Sequence, residues 1–134
     1  MLNKVLLIGH LGQAPQLKQT SGGQPFAILS LATTERWRDK AGNRHERTEW
    51  HRIVVWRENL LEFVERLKKG SKVWVEGSLA SRRWEDEKGI ERYTTEIVLQ
   101  GFNARLERLD RSKGGVPDPE GEDAYGTERE PADA

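Results

Sequence analysis

The first hundred residues alternate between short apolar stretches and polar segments rich in Gly, Pro, Asn and Asp, which favour turns. The apolar stretches are rich in Val, Ile, Leu and aromatic residues, and several follow the two-residue period of a half-buried strand. This pattern predicts five strands, in KVLLIGHL (4–11), FAILSLATT (26–34), EWHRIVVW (49–56), KVWVEGSLASRRW (72–84) and RYTTEIVLQGF (92–102). RDKAGNRHE (38–46) and EDEKGIE (85–91) are predicted to be hairpin loops, each with a glycine that tolerates positive φ.

One segment, NLLEFVERLKKG (59–70), has the period of a helix instead. Asn59 is the predicted N-cap, and Glu62 completes a capping box. Lys68 and Lys69 fall where the helix dipole favours cations, and Gly70 ends the helix. The apolar stripe at i, i+3, i+4 and i+7, which faces a core, consists of Leu60, Phe63, Val64 and Leu67.

The order of these elements predicts the fold. Three strands, a helix and two further strands are the order of a five-stranded OB barrel, an all-β fold with one helix between the third and fourth strands. We place this single domain at residues 1–110. Residues 111–134 hold several Gly and Pro but few apolar residues, so they are expected to form a disordered acidic tail.

Three of the five tryptophans fall in residues 35–59, among many cations. Successive strand residues alternate between faces. One face therefore carries Trp50, Arg52, Val54 and Trp56, and the other carries His51, Ile53 and Val55. If Val5, Val73 and Val75 fill the barrel with Ile53 and Val55, the tryptophan face points outward. Trp84 shares a strand face with Arg82 in the same way, and Trp37 begins a hairpin loop beside Arg36 and Arg38.

Clustered rings on an outer face are typical of a contact surface. Unpaired bases stack on indole for about 1–3 kcal/mol each, while Lys and Arg follow the phosphates. In duplex DNA the faces of the bases are covered by neighbouring base pairs, so the pattern favours binding of single-stranded nucleic acid. Two alternatives stay open at this point, namely that the rings pack in the core or that they form cation–π pairs with arginine on a bare surface.

The formal net charge is zero, but it is unevenly distributed. Residues 1–113 carry 21 Lys and Arg against 15 Asp and Glu, and residues 114–134 carry one Arg against seven acids. A basic domain with an acidic tail is typical of proteins that handle nucleic acid, although a solvated charged end explains the charge equally well.

Other classes find little support in the sequence. No apolar run is long enough to span a membrane, no secretory signal is evident, and the absence of cysteine suits the cytoplasm. The three histidines lack metal-ligand spacing, and no phosphate-binding glycine motif is present. Glu85, Asp86 and Glu87 are interpreted as a solvated turn rather than a metal-dependent nuclease site. We therefore predict a protein that is not an enzyme and has no metal or cofactor.

Several longer motifs occur together, namely NKVLLIGHLGQAP, LATTERWRDK, TEWHRIVVW, KGSKVWVEGSL and RRWEDEKGIERYTTEIV. Through them, residues 2–107 resemble the bacterial single-stranded DNA-binding protein family of homotetrameric OB-fold type. The resemblance implies base stacking on Trp37, Trp50 and Trp84, and on Trp56 at a position that usually holds Phe. It implies phosphate contacts from Lys40, Arg52, Arg82 and Arg83, with Lys68 and Lys69 as further candidates.

The resemblance also implies which residues contribute to the oligomer interface. His51 matches a position linked to assembly, and Trp74 lies on a strand that meets its counterpart between dimers. Packing of Trp74 on its own subunit is the alternative.

The tail departs from the family. Typical members end in aspartates followed by Ile-Pro-Phe, the tip that recruits replication and repair proteins, whereas this chain ends in EREPADA. The missing apolar anchor argues against such recruitment and favours a specialised paralogue of a phage, plasmid or integrated element. Two other roles for the tail are to keep the protein soluble and to compete for the basic groove.

The predicted function is binding of single-stranded DNA without sequence specificity, as a homotetramer that protects and organises the strand during DNA replication, recombination and repair. The expected location is cytoplasmic and associated with the nucleoid. An RNA-binding or primosome-like OB module is the alternative, because stacking does not itself distinguish ribose from deoxyribose. A module whose tryptophans bind protein is a second rival.

Overall fold

The computed structural model describes residues 1–110 and comprises seven strands and one helix. In chain order these are β1 (Val5–Leu11), β2 (Gln16–Gln19), β3 (Pro25–Arg38), β4 (Arg44–Val55), α1 (Glu58–Val64), β5 (Lys72–Glu85), β6 (Glu91–Leu99) and β7 (Arg105–Arg108). The predicted tail, residues 111–134, lies outside the described residues.

Five of these strands close into a barrel. The strand β1 pairs antiparallel with β3 and β5, β3 with β4, and β5 with β6. The ring closes where β4 and β6 run parallel, from the pair Ile53–Ile97 to the pair Val55–Leu99. The helix α1 follows the third barrel strand and precedes the fourth, so the predicted all-β OB barrel is confirmed.

Two short strands were not predicted. The strand β2 pairs with β3, and β7 pairs with β5. Their sequences, QLKQ and RLER, contain one leucine each. A four-residue segment with a single apolar position lacks the alternation from which a strand is predicted.

The two hairpins are longer than predicted. The strand β3 continues to Arg38 and β4 begins at Arg44, so only residues 39–43 of the first predicted loop form the turn. There the Asp39 carboxylate accepts the backbone N–H groups of Ala41 and Asn43, and Gly42 has φ 86°. Similarly, β5 reaches Glu85, β6 starts at residue 91, and the last predicted strand ends at Leu99 rather than at residue 102.

The core lies inside the barrel and under the helix. Its largest fully buried side chains are Leu29, Leu31, Ile53, Val55, Val64, Val73, Val75 and Leu99. Burial of each such aliphatic side chain stabilises the fold by about 1.5–3 kcal/mol. The predicted inward positions are therefore confirmed, with Val5 packed against the core at partial exposure.

The helix differs from its prediction at both ends. It begins at Glu58, after Arg57 in an extended conformation, so Asn59 is inside the helix and no side chain caps it. The Arg57 guanidinium donates to the carbonyl oxygens of residues 101, 102 and 104 at 3.0–3.3 Å, which fixes the chain just before the helix. The helix ends at Val64, so Lys68 and Lys69 are not in its last turn.

The burial predicted for the apolar stripe is nonetheless confirmed. Val64 of the helix and Leu67, which lies after its end, are buried, and Leu60 and Phe63 pack against the core at partial exposure. No helix within residues 1–110 is both long enough and apolar enough to cross a membrane.

Candidate nucleic-acid interface

The outward side of β4, β6 and β5 carries a cluster of aromatic and charged side chains. Trp50 and Arg52 alternate with the buried Ile53 on β4, and Arg82 and Trp84 point to the same side on β5. Glu96 of β6 lies between the two strands, because β6 pairs with both. We call this set of five residues the indole–arginine face.

Trp50 is the most exposed tryptophan of this face, with 58% of its surface accessible. Its ring lies against the backbone of Gly12, where an added Cβ would be only 2.4 Å from the ring atom Cζ3. A glycine is therefore needed beneath the ring, since any side chain there would displace it. The six-membered part of the indole is thus supported by the protein, while more than half of the residue's surface remains accessible.

Trp84 is held from its edge. Its Nε1 donates a 2.7 Å hydrogen bond to Oγ1 of Thr94 on the neighbouring strand. The side chain remains 42% exposed. The hydrogen bond fixes the orientation of the ring, so less conformational entropy is lost when a ligand stacks on it.

Trp56 lies beyond the end of β4 and is half-buried. It stacks on Phe26, with ring centroids 4.6 Å apart and planes inclined by 28°. Val54, expected on the same outward face, is 3% exposed although it lies outside the core cluster. The outward face of β4 is thus open at Trp50 and closes toward Trp56.

Trp37 is separated from the indole–arginine face. It pairs with His45 of β4, and the same unbroken register pairs Trp50 with Ala32. His45 and Trp50 are five residues apart on β4, and successive strand residues alternate between sides. Trp37 therefore points to the opposite side of the β3–β4 hairpin from Trp50. Trp37 stacks on His45 at 5.5 Å, and His45 Nε2 is 2.9 Å from a carboxylate oxygen of Asp39. The hydrogen bond with His45, followed by that from the Asn43 backbone, lowers the pKa of Asp39 to about 2.

The two arginines of the indole–arginine face share one acid. The Nε atoms of Arg52 and Arg82 lie 2.8 and 2.9 Å from the same oxygen of Glu96. Burial of Glu96 acts to raise the pKa of its carboxyl. Hydrogen bonds from Arg82 and Arg52, together with their charges, outweigh burial and hold this pKa below its ordinary value. The acid therefore stays ionised at neutral pH.

The other predicted basic residues lie around this face. Lys40 is exposed in the β3–β4 turn. Arg83 points to the opposite side of β5 from Trp84 and forms a 3.0 Å ion pair with Glu91. Lys68 and Lys69 are exposed in the turn before β5, beside the Leu11–Gly12 backbone that supports Trp50, because Gly70 N–H donates to Leu11 O at 2.8 Å.

A second outward surface covers β1, β5 and β7. We call it the aliphatic face, and it comprises Leu6, Ile8, Trp74, Glu76, Arg105 and Glu107. Leu6 and Ile8 are about half exposed. Trp74 is half-buried, since Arg105 lies over its ring at 5.3 Å and its Nε1 donates to Glu76 at 3.0 Å.

His51 is on the inward-pointing side of β4, at the end of the barrel. It is half-buried, and its Nε2 lies 2.9 Å from Oγ1 of Thr33. The structure therefore places His51 and Trp74 on separate surfaces.

The acidic segment Glu85–Glu87 forms part of a turn. The Asp86 carboxylate accepts the N–H groups of Lys88 and Ile90 and pairs with Arg92 at 3.0 Å. The hydrogen bond from Ile90 is the main cause that lowers the pKa of Asp86. Within residues 1–110, no three His, Asp or Glu side chains are grouped so as to hold a metal ion.

Comparison with known proteins decides the family. The sequence model described as the single-strand binding protein family matches residues 2–106. The chain belongs to the single-strand binding protein family. It is thus a member of a family of binding proteins rather than of enzymes, as the sequence predicts.

Relatives in this family are close in sequence. The chain is 50% identical to the single-stranded DNA-binding protein of Rhizobium meliloti over 116 residues, which are 85% of this chain and 66% of that protein. It is 53% identical to the single-stranded DNA-binding protein of Rickettsia typhi over 111 residues, which are 81% of this chain and 73% of that protein.

Solved structures agree with the family. A Plasmodium falciparum SSB in complex with ssDNA matches with a TM-score of 0.75 at 40% identity, over 82% of this chain and 97% of that one. A deletion mutant of the single-stranded DNA-binding protein from Thermus aquaticus matches with a TM-score of 0.66 at 29% identity, over 81% of this chain and 51% of that one.

The residues that support Trp50, Trp56 and Trp84, and the acid between the two arginines, were not identified from the sequence. Gly12 lies beneath Trp50, Phe26 beneath Trp56, and Thr94 at the edge of Trp84. Glu96 lies between the arginines. Each is an ordinary turn or strand residue in the sequence, and only the register of the strands shows its neighbours.

Proposed function

We propose that this protein binds single-stranded DNA without sequence specificity, stacking bases on Trp50 and Trp84 and neutralising phosphates with Arg52 and Arg82. The observation that carries the proposal is the indole–arginine face itself. Two exposed indoles lie on one outward surface, each supported by the protein, and each of their strands also carries one arginine of a guanidinium pair. Such coating protects and organises DNA during replication, recombination and repair.

The chemistry of the face favours unpaired bases over duplex. Indole stacks on the π-face of any base, so the contact is tolerant of sequence. In a duplex those faces are covered by neighbouring base pairs, and only the phosphates remain accessible to the arginines. The structural likeness to an SSB solved with ssDNA supports this choice.

The remaining predicted contacts extend the path from this centre. Trp56 on its Phe26 support continues the outward side of β4, and Lys68 and Lys69 flank the Gly12 support. Trp37 and Arg83 point to the other side of their hairpins. We propose that they and Lys40 contact DNA only if the strand wraps around the hairpins.

The RNA-binding or primosome-like alternative is not favoured. The relatives and structures described above are named for single-stranded DNA, at up to 53% identity with this chain. Competition between oligo-dT and oligo-U for the protein tests this alternative directly.

We further propose that the protein is a homo-oligomer, and that the aliphatic face supports a homotetramer. Leu6 and Ile8 expose adjacent apolar side chains beside Trp74. Within residues 1–110, β1 pairs with β3 only through His10 and Leu11, so the rest of that edge is free to pair with another copy. His51 is a further candidate for assembly, from the resemblance alone.

From its charge, we propose that the acidic segment at residues 114–134 competes with DNA for the basic domain. Association with the nucleoid follows from binding of single-stranded DNA.

A titration of intrinsic tryptophan fluorescence tests the function. Oligo-dT is expected to quench the fluorescence strongly, whereas blunt duplex has little effect and oligo-U competes weakly. A plot of the logarithm of the affinity against the logarithm of the salt concentration should be linear, with a slope of about −0.7 for each phosphate neutralised. Mass measured alongside reports the oligomer. No response to any oligonucleotide, at any salt concentration, would indicate a protein-binding module instead.

A further inference from the structure

An acid occupies the centre of a surface that is expected to attract phosphates. Glu96 points outward from β6, yet only 7% of its surface is exposed. The side chains of Arg52 and Arg82, which cover it, are 42% and 50% exposed. The carboxylate is thus shielded from solvent by the two groups that are expected to bind DNA.

The way in which the arginines are bound leaves their outer ends free. Both use Nε to reach the shared oxygen of Glu96. Within residues 1–110, the side-chain hydrogen bonds of Arg52 and Arg82 are those from Nε to Glu96, and they do not use the terminal guanidinium nitrogens. These terminal nitrogens form the outer part of the guanidinium fork, which matches the geometry of a phosphate.

We propose that Glu96 is a positioning residue of the DNA interface, holding Arg52 and Arg82 so that their terminal nitrogens face the phosphates between bases stacked on Trp50 and Trp84. The inference rests on the proposed function. It adds a role for an acid at a site where charge alone argues against one.

The physical reason is conformational order. Two long, like-charged side chains lying side by side repel each other and sample many rotamers. A shared carboxylate lowers the repulsion and fixes both side chains before DNA arrives, so less entropy is lost on binding. The exposed fractions show that this order is achieved without burying the arginines.

The opposite account is purely electrostatic. An anion within a phosphate-binding surface repels the ligand, so its neutralisation would tighten binding. The two accounts therefore predict opposite signs for the same substitution, which makes the proposal easy to test.

The test compares Glu96→Gln with Glu91→Gln. Glu91 is on the same strand, pairs with Arg83 and points to the other side of the hairpin, so its replacement makes the same change in charge without touching Arg52 or Arg82. Affinity for a short oligo-dT, which spans a single barrel, is measured by fluorescence quenching. We expect E96Q to bind about fivefold more weakly than E91Q, because two side chains must be ordered again on binding. Glu96→Ala should bind more weakly still.

A double-mutant cycle separates positioning from a general structural effect. In the background R52A/R82A, the difference between E96Q and E91Q is expected to disappear, since no guanidinium remains to be held. Thermal unfolding and mass identify any variant that does not fold or assemble. If E96A does not fold, the nearly isosteric E96Q decides the result by the same rule.

Two results would overturn the inference. One is that E96Q binds as tightly as E91Q or more tightly, and the other is that its defect persists without the arginines. Both leave the proposed function intact, because that depends on whether the wild-type protein is quenched by oligo-dT at all.

Discussion

The indole–arginine face and the aliphatic face both combine tryptophan, arginine and glutamate on the same barrel, but they present these side chains differently. On the first, Trp50 and Trp84 are supported from behind or at the edge and remain open. On the second, Trp74 lies under the guanidinium of Arg105. A tryptophan near an arginine is therefore an exposed ring on the first face and a covered ring on the second.

The arginines differ in the same sense. Arg52 and Arg82 are bound through Nε alone, whereas Arg105 contacts Glu107 and Glu76 through its terminal nitrogens. Both hydrogen bonding to Glu107 and its charge raise the pKa of Arg105. The difference supports the proposal that the first face binds an external anion, whereas Arg105 of the second face is paired with acids of that face.

The largest effect is expected from removing the open rings. W50A/W84A should weaken binding of a short oligo-dT by about 1–3 kcal/mol for each base that loses its stack. Trp74→Ala is the matched control, since it removes an indole of the other face and should leave this affinity unchanged. Affinities come from competition with a fluorescent oligonucleotide, because the variants lose intrinsic fluorophores. Equal losses in the two proteins would remove the distinction between the faces.

The support beneath Trp50 should matter nearly as much as the ring. Gly12→Ala places a Cβ 2.4 Å from Cζ3 of Trp50, so the indole must move. We expect a loss of short-oligonucleotide affinity approaching the value for one stacked base, about 1–3 kcal/mol. Gly22→Ala is the control, since its added Cβ meets only Thr20 Oγ1, at 3.8 Å. Wild-type affinity in G12A would show that the ring needs no fixed support.

The aliphatic face should affect assembly rather than stacking. L6S/I8S removes two half-exposed aliphatic side chains, and burial of the exposed half of each contributes about 1 kcal/mol to an interface. The mass of the variant, followed by light scattering over a dilution series, should fall at concentrations where the wild type stays assembled. Affinity for a long oligo-dT should fall with it, because linked sites gain from effective concentration. The affinity of L6S/I8S for a short oligonucleotide should remain unchanged, because Trp50 and Trp84 lie on the other face. A wild-type mass at every dilution would place the oligomer interface elsewhere.

The sequence predicts the core of the barrel well because burial imposes a pattern. Ile53 and Val55, or Val73 and Val75, alternate with outward residues wherever one side of a strand faces the interior. The outward positions of Trp50 and Trp84 follow from the same alternation. These parts of the fold and the site need no knowledge of which strands are neighbours.

The hairpins and the supports could not be predicted, for two physical reasons. Beyond the barrel, both sides of β3 and β4 face solvent, so residues such as Arg36 and Arg47 carry no burial signal and resemble a loop. Because residues 38–46 were predicted to be a loop, the sequence did not show that Trp37 and Trp50 point to opposite sides of the hairpin. Gly12 and Glu96 act through neighbours distant in sequence, which depend on strand register rather than on local pattern.

The smallest effect concerns the tip of the first hairpin, where Trp37 lies apart from both faces. The pKa of Asp39 is lowered to about 2 from an ordinary value of 3.8, mainly by its hydrogen bond with His45. A carboxyl with a lowered pKa in the folded state stabilises the fold above its unfolded pKa, and this contribution is lost as the pH falls through the folded value. The charge-dependent difference in stability between wild type and Asp39→Asn should therefore be constant above about pH 5, decrease as the pH falls, and be lost below about pH 2. Because Asp39 is exposed, solvent screening keeps the difference small.

Urea unfolding of the two proteins at several pH values measures that difference, and subtraction removes the titration of all other groups. Asn retains an oxygen that accepts the N–H groups of Ala41 and Asn43, so the turn keeps these backbone hydrogen bonds while the charge and the acceptor for His45 are removed. If the hairpin tip belongs to neither face, D39N should also leave short oligo-dT affinity unchanged. A loss comparable to that of G12A would instead join Trp37 to the path of a short strand, and the boundary of the indole–arginine face would have to be moved to include it.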